Sequence, residues 1–293
     1  MVRENVSLPF TGDVTLPVEA VQPIGNPYIG VGQGDPGAWP WLMGGFEVVK
    51  AGRLDTVKLL AGDNLEVDYK VMDTLYGLGV KFVVARLFYA GAPASSQQFI
   101  DSFINSAVNL YRKGVRWFEV HNEPNLLAEW TGTPEEWAAF MREVIQLLRP
   151  AMPEAKFLYP GLSPGGADAS VGRAYSEQDF FNRSYPLVKE LCAGICIHCY
   201  FTNDAEAQHQ ALVANTWAAI HGKPIIVSEF SNPVPGVPKA EKARQYVVFL
   251  SGLGNVVAAH GFVMQSSAPR FASEVWQGSE IVSVIGQYME GRS

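Results

Sequence analysis

Trp117-Phe118-Glu119-Val120-His121-Asn122-Glu123-Pro124-Asn125 is a short apolar run that stops in an Asn-Glu-Pro turn. A run of this length, closed by a turn, reads as a buried strand rather than a helix. The turn leaves a carboxylate, Glu123, at the strand's C-terminal end. Further along, Pro224-Ile225-Ile226-Val227-Ser228-Glu229-Phe230 repeats the arrangement and ends on Glu229. Working outward, apolar runs at 28–32, 57–61, 81–88, 156–161, 194–200 and 256–265 join those at 115–121 and 224–229, making eight candidate strands.

Helical stretches separate most of these strands. The spacing predicts helices over 66–78, 96–113, 133–149, 176–192, 204–221 and 239–253. Thr133-Pro134-Glu135-Glu136 opens one of them with an N-cap, a first-turn proline and acids that favour the dipole. Gly114, Gly194, Gly222 and Gly254 stand where helices should stop. Alternating strand and helix implies parallel pairing, and apolar strands imply a sheet covered on both faces. Eight such units favour an α/β (β/α)₈ TIM barrel over an open doubly wound sheet. Residues 33–56 read as a loop with little room for a full first helix, and residues 1–27 as an extended lead-in. With no repeat, low-complexity tract or linker, one domain spanning 1–293 is expected.

Composition limits the partners. The chain has 293 residues, 48% hydrophobic and 17% charged, which is ordinary for a globular core. A net charge of −7, without a basic stripe, argues against nucleic acid or an anionic membrane surface. No apolar run reaches the roughly 18 residues that span a bilayer. The N-terminus lacks a signal-peptide core, so the expectation is a cytoplasmic protein, or a secreted one whose leader is absent from this sequence. A monomer is expected.

In a barrel of this kind, the C-terminal ends of the strands form the working face. Glu123 after strand four and Glu229 at the end of strand seven would meet there from opposite walls. Two facing carboxylates supply the proton donor and the nucleophile that cleavage of a glycosidic bond requires. The other reading kept open is a barrel that binds glycans without cutting them. Its mark would be one of the two glutamates buried in a structural salt bridge.

The string Phe118-Glu119-Val120-His121-Asn122-Glu123-Pro124-Asn125 resembles the strand-four motif of the clan A glycoside hydrolases. It is most similar to the group of β-xylosidases, α-L-iduronidases and bacterial exopolysaccharide hydrolases. The resemblance covers residues 80–265 and implies a retaining hydrolase of β-linked oligo- or polysaccharides. It makes Glu123 the acid/base, Glu229 the nucleophile and Asn122 the reader of the sugar 2-hydroxyl. It also implies an arginine on strand two, whereas the strand count puts Arg86 on strand three, where it could hold the nucleophile ionised. His121 stands where the group often has tryptophan. His198 and Tyr200 alternate on strand six and so share a face; the tyrosine resembles the clan residue that bonds the nucleophile. No strand-eight aromatic is read from residues 260–265, and Trp276 is the substitute considered.

Aromatic rings at strand-end loops suit pyranose faces, so Trp39, Trp41, Trp130 and Trp276 are expected to bind substrate, with Phe201 beside them. Trp137 and Trp217 fall inside helices and are assigned to the core. Cys192, Cys196 and Cys199 have iron–sulfur spacing, but Cys196 and Cys199 point to opposite faces of a strand and cannot converge on one metal. Gly32-Gln33-Gly34-Asp35-Pro36-Gly37 matches a dinucleotide fingerprint, but no helix starts after it. No metal and no cofactor is expected, and carbohydrate is the partner.

Overall fold

Eight short parallel strands close into a ring in the computed structural model, which describes residues 25–35, 40–62 and 65–292. They are β1 (Tyr28–Gly32), β2 (Thr56–Ala61), β3 (Phe82–Leu87), β4 (Trp117–Val120), β5 (Lys156–Tyr159), β6 (Gly194–Tyr200), β7 (Ile225–Ser231) and β8 (Ala258–Gly261). Each pairs with the next in chain order, and β1 closes on β8. Around them run α1 (Phe46–Ala51), α2 (Leu65–Gly77), α3 (Ser96–Asp101), α4 (Ile104–Arg112), α5 (Pro134–Leu148), α6 (Glu177–Val188), α7 (Asp204–His221), α8 (Lys239–Ser251) and α9 (Glu280–Glu290). The fold is an α/β (β/α)₈ barrel.

Local chemistry explains where the elements start and stop. α5 opens in a full capping box, with Thr133 and Glu136 each bonding the other's backbone N–H. The helix expected over 96–113 is broken into α3 and α4. Ser102 Oγ donates to the Phe99 carbonyl at 2.7 Å, and Phe103 leaves helical conformation. A serine that bonds the preceding turn competes with the helix it sits in. The first helix is short, as the loop reading required. α9 was not anticipated, although Ile281, Val282 and Ile285 carry helical spacing and are buried. Among the described residues, no helix is long and apolar enough to cross a membrane.

The lower half of the barrel interior is a hydrophobic plug. Tyr28 stacks on Phe82 at 5.3 Å, and Trp117, Leu158, Cys196 and Ile226 complete it. Burying each such ring or large aliphatic group contributes about 1.5–3 kcal/mol. Above this plug the interior turns polar, beginning at Thr56, Lys58, Glu119, Ser228 and His260, all buried. That change marks the floor of the site.

Candidate active site

Two backbone irregularities bring Glu123 and Glu229 together. β4 ends at Val120, and the chain then takes left-handed conformations at His121 (φ 77°) and Glu123 (φ 36°). Such conformations are strained for non-glycine residues and persist only when the surroundings hold them. Here the Glu123 N–H donates to the Gly161 carbonyl at 3.0 Å. Asn125 pins the next turn to Ser163, with bonds of 2.8 and 2.9 Å.

On the opposite wall, β7 carries a bulge. Ile197 pairs with Val227 but His198 pairs with Glu229, so Ser228 is the extra residue. Strict alternation would send consecutive side chains to opposite faces; the bulge lets Ser228 and Glu229 both face the interior. Ser228 Oγ donates to Glu119 Oε1 at 2.8 Å, while Glu229 reaches the mouth of the barrel beside Tyr200 and Lys58.

His198 stands between the two glutamates. Its Nδ1 lies 3.0 Å from Glu123 Oε1 and 3.7 Å from Glu229 Oε2. Those oxygens are therefore no farther apart than about 6.7 Å, the two legs laid end to end. Tyr200 donates its hydroxyl to Glu229 Oε2 at 2.7 Å, and Lys58 donates to Oε1 at 2.9 Å. Arg86 stands 3.4 Å from the same Oε1 and donates to Asn122 Oδ1 at 2.8 Å. Beneath them Glu119 takes the Gly161 N–H at 3.1 Å and stands 3.5 Å from Lys58. Gly161 has to be glycine, because a Cβ there would lie 2.3 Å from the His198 ring.

Burial alone would push the Glu229 carboxyl up. The charges of His198, Lys58 and Arg86 outweigh it and hold the group down at about 2. The buried Glu119 is likewise pulled below its ordinary value against burial, chiefly by Lys58. Burial disfavours charge on His198, yet Glu229 and Glu123 together raise it. Burial keeps the Tyr200 hydroxyl protonated, and Glu229 adds to that, so it remains a donor. The floor of the site is therefore an ionised carboxylate held by cations and a hydroxyl. Glu123 stands nearer the opening, its side chain 18% exposed against 5% for Glu229.

The other expected residues divide. Arg86 lies on β3 as counted, and β2 supplies a lysine, Lys58, which sequence reading missed. Trp41 and Trp276 are each 1% exposed and Phe201 is equally buried, so none offers a ring face to a sugar. Trp276 packs against Tyr246 and Phe230 instead. Trp130 is half-buried against Phe140, its Nε1 tied to the Thr133 carbonyl. His121 is not at the mouth: it is buried between Phe99 and Phe140, and burial pushes its pKa down to about 4. Trp39 and the lead-in through residue 24 lie outside the described residues. Phe262, just past β8, meets Tyr200 edge-on at 6.1 Å and is the aromatic ring that the strand-eight segment brings beside the site. Cys196 faces the barrel interior and Cys199 the outer shell.

No family model matches the chain, and no curated protein matches it. Solved structures do. A family GH128 endo-β-1,3-glucanase from Sorangium cellulosum superposes with TM-score 0.65 at 17% identity, over 88% of this chain and 97% of that one. A glucosidase from Croceicoccus marinus gives 0.63 at 12% identity, over 91% and 69%. An endo-β-1,4-glucanase from Xanthomonas axonopodis pv. citri gives 0.56 at 12% identity, over 91% and 100%. At these identities the likeness establishes the barrel.

Proposed function

We propose that the protein is a retaining glycoside hydrolase acting on a β-linked oligo- or polysaccharide. The observation that carries the reading is one imidazole nitrogen lying 3.0 Å from Glu123 and 3.7 Å from Glu229, with the two carboxylates on opposite walls of the barrel mouth. Retaining enzymes hold their carboxyl groups about 5–5.5 Å apart, and inverting enzymes about 6.5–9.5 Å.

In the first step Glu229, ionised and held by Lys58, Arg86 and Tyr200, attacks the anomeric carbon. Glu123 gives its proton to the departing oxygen, and a glycosyl ester forms on Glu229. In the second step Glu123 takes a proton from water, whose oxygen attacks the anomeric carbon and frees Glu229. Asn122, oriented by Arg86, meets the sugar 2-hydroxyl, a contact that strengthens in the transition state. Phe262 supports the ring.

Because the structural neighbours include endo-β-1,3- and endo-β-1,4-glucanases, those glucans are the first substrates to screen. The strand-four resemblance adds β-xylosides and exopolysaccharides. Glu229→Ala should abolish hydrolysis while the circular dichroism spectrum still shows the folded barrel, with a lower melting temperature because Lys58 loses its buried partner; a variant that keeps its activity defeats the assignment.

The buried Lys58–Glu229 pair is the observation that favours the second reading, a barrel that binds glycan without cutting it. Turnover on any member of the panel, lost with Glu229→Ala, decides against that reading. Binding without turnover decides for it.

A further inference from the structure

The turn after Glu123 folds a third carboxylate back toward the site. Glu129 Oε1 stands 3.5 Å from Asn122 Nδ2, while Arg86 Nη1 donates to the same amide's oxygen at 2.8 Å. The amide is thus addressed at both ends, by a cation at its oxygen and a carboxyl at its nitrogen. Beside them lies a cavity of about 20 Å³ bounded by Arg86, His121, Asn122 and Glu129, large enough for one water. Arg86 Nε is buried there without a protein hydrogen-bond partner.

We propose that Glu129 is a positioning residue that competes with the substrate for the Asn122 amide, so that sugar recognition at Asn122 depends on whether Glu129 carries a proton. The proposal rests on the glycosidase reading only for the identity of the competing group, a sugar hydroxyl. Burial lifts the Glu129 carboxyl to about 7; Arg86 and Asn122 oppose this, and the neighbouring Glu123 and Glu229 add to it. His121, the other titratable neighbour, is kept neutral by burial. Below neutrality Glu129 is uncharged and holds the amide N–H weakly. Above it the carboxylate accepts one of the amide's two N–H groups in a charge-assisted bond and leaves the ligand only the other.

The test is the Asn122 side-chain ¹⁵N–¹H₂ resonance followed from about pH 5.5 to 9 in the full chain and in Glu129→Gln. The wild-type signal should move with a midpoint near 7, and the variant signal should stay flat. A flat wild-type signal, or a titration that survives in Glu129→Gln, overturns the proposal. Kinetics on 4-nitrophenyl β-cellobioside add a second readout: kcat/KM should fall above neutrality more steeply in the wild type than in Glu129→Gln, because a contact that strengthens in the transition state is withdrawn. Identical alkaline limbs in the two proteins also overturn it. Absence of all hydrolysis would remove the glycosidase reading and leave the resonance test standing.

Discussion

Glu229 meets Lys58, Arg86, Tyr200 and His198 at once, and those neighbours decide its charge. Its pKa of about 2 lies below the ordinary carboxylate value, so its ion pairing contributes stability that is fully present above about 4.5 and is lost as pH falls toward 2. Lys58→Met strips the floor of its buried cation and leaves Glu119 and Glu229 with less compensation. Removing one partner of a buried pair costs about 3–5 kcal/mol, so urea unfolding should show a loss of that order. The acid limb of the pH–rate profile should also move to higher pH. An unchanged acid limb would mean that Lys58 does not control the charge on Glu229. Glu123 and Glu229 were legible in the sequence because apolar runs end on them. Lys58 and Glu119 were not read, though a lone charge inside an apolar run is itself a sign of a buried partner.

At the scale of elements, the site is made by two departures from regular structure, the left-handed turn after β4 and the bulge in β7. The strands could be counted from their apolar runs, but the bulge could not be seen, because it exists only in the register between β7 and β6. Phe262 was passed over for a related reason: its place beside Tyr200 follows from how β8 closes the ring. Gly161 shows what the packing of these elements demands. Gly161→Ala should cost about 1–3 kcal/mol through overpacking, and it should lower turnover by displacing His198. Gly166→Ala, in the same loop with open space around a new Cβ, is the matched control and should be near neutral in thermal melting. Equal effects of the two substitutions would show that the His198 contact does not matter.

Over the whole molecule, the barrel combines an apolar lower plug with a polar upper half, and that layering shapes its response to acid. Burial, the largest cause in each case, keeps His121 neutral down to about 4 and His260 down to about 3. In the unfolded chain both take up protons below about 6.5. The unfolded state then binds more protons than the folded one, so stability falls as pH drops below about 6.5, by up to roughly 1.4 kcal/mol per pH unit for each histidine. His121→Phe, placed between Phe99 and Phe140, should flatten that acid slope in melting experiments between about pH 6.5 and 4. An unaltered slope would show that His121 is charged in the folded state. The overall barrel was legible because eight strand–helix alternations have one closed solution; helix α9 was readable from its apolar spacing but was not read, and the polar middle layer arises only when the strands close into a ring.

The central claim is that Glu229 forms a covalent bond to sugar while Glu123 handles the proton. It is tested most directly by incubating the protein with a 2-deoxy-2-fluoro β-glycoside carrying a good leaving group, then mapping peptides by mass spectrometry. The account predicts one added fluorosugar, on the peptide that contains Glu229. A chain that hydrolyses its natural glycan with inversion and leaves the Glu229 peptide unlabelled would contradict it.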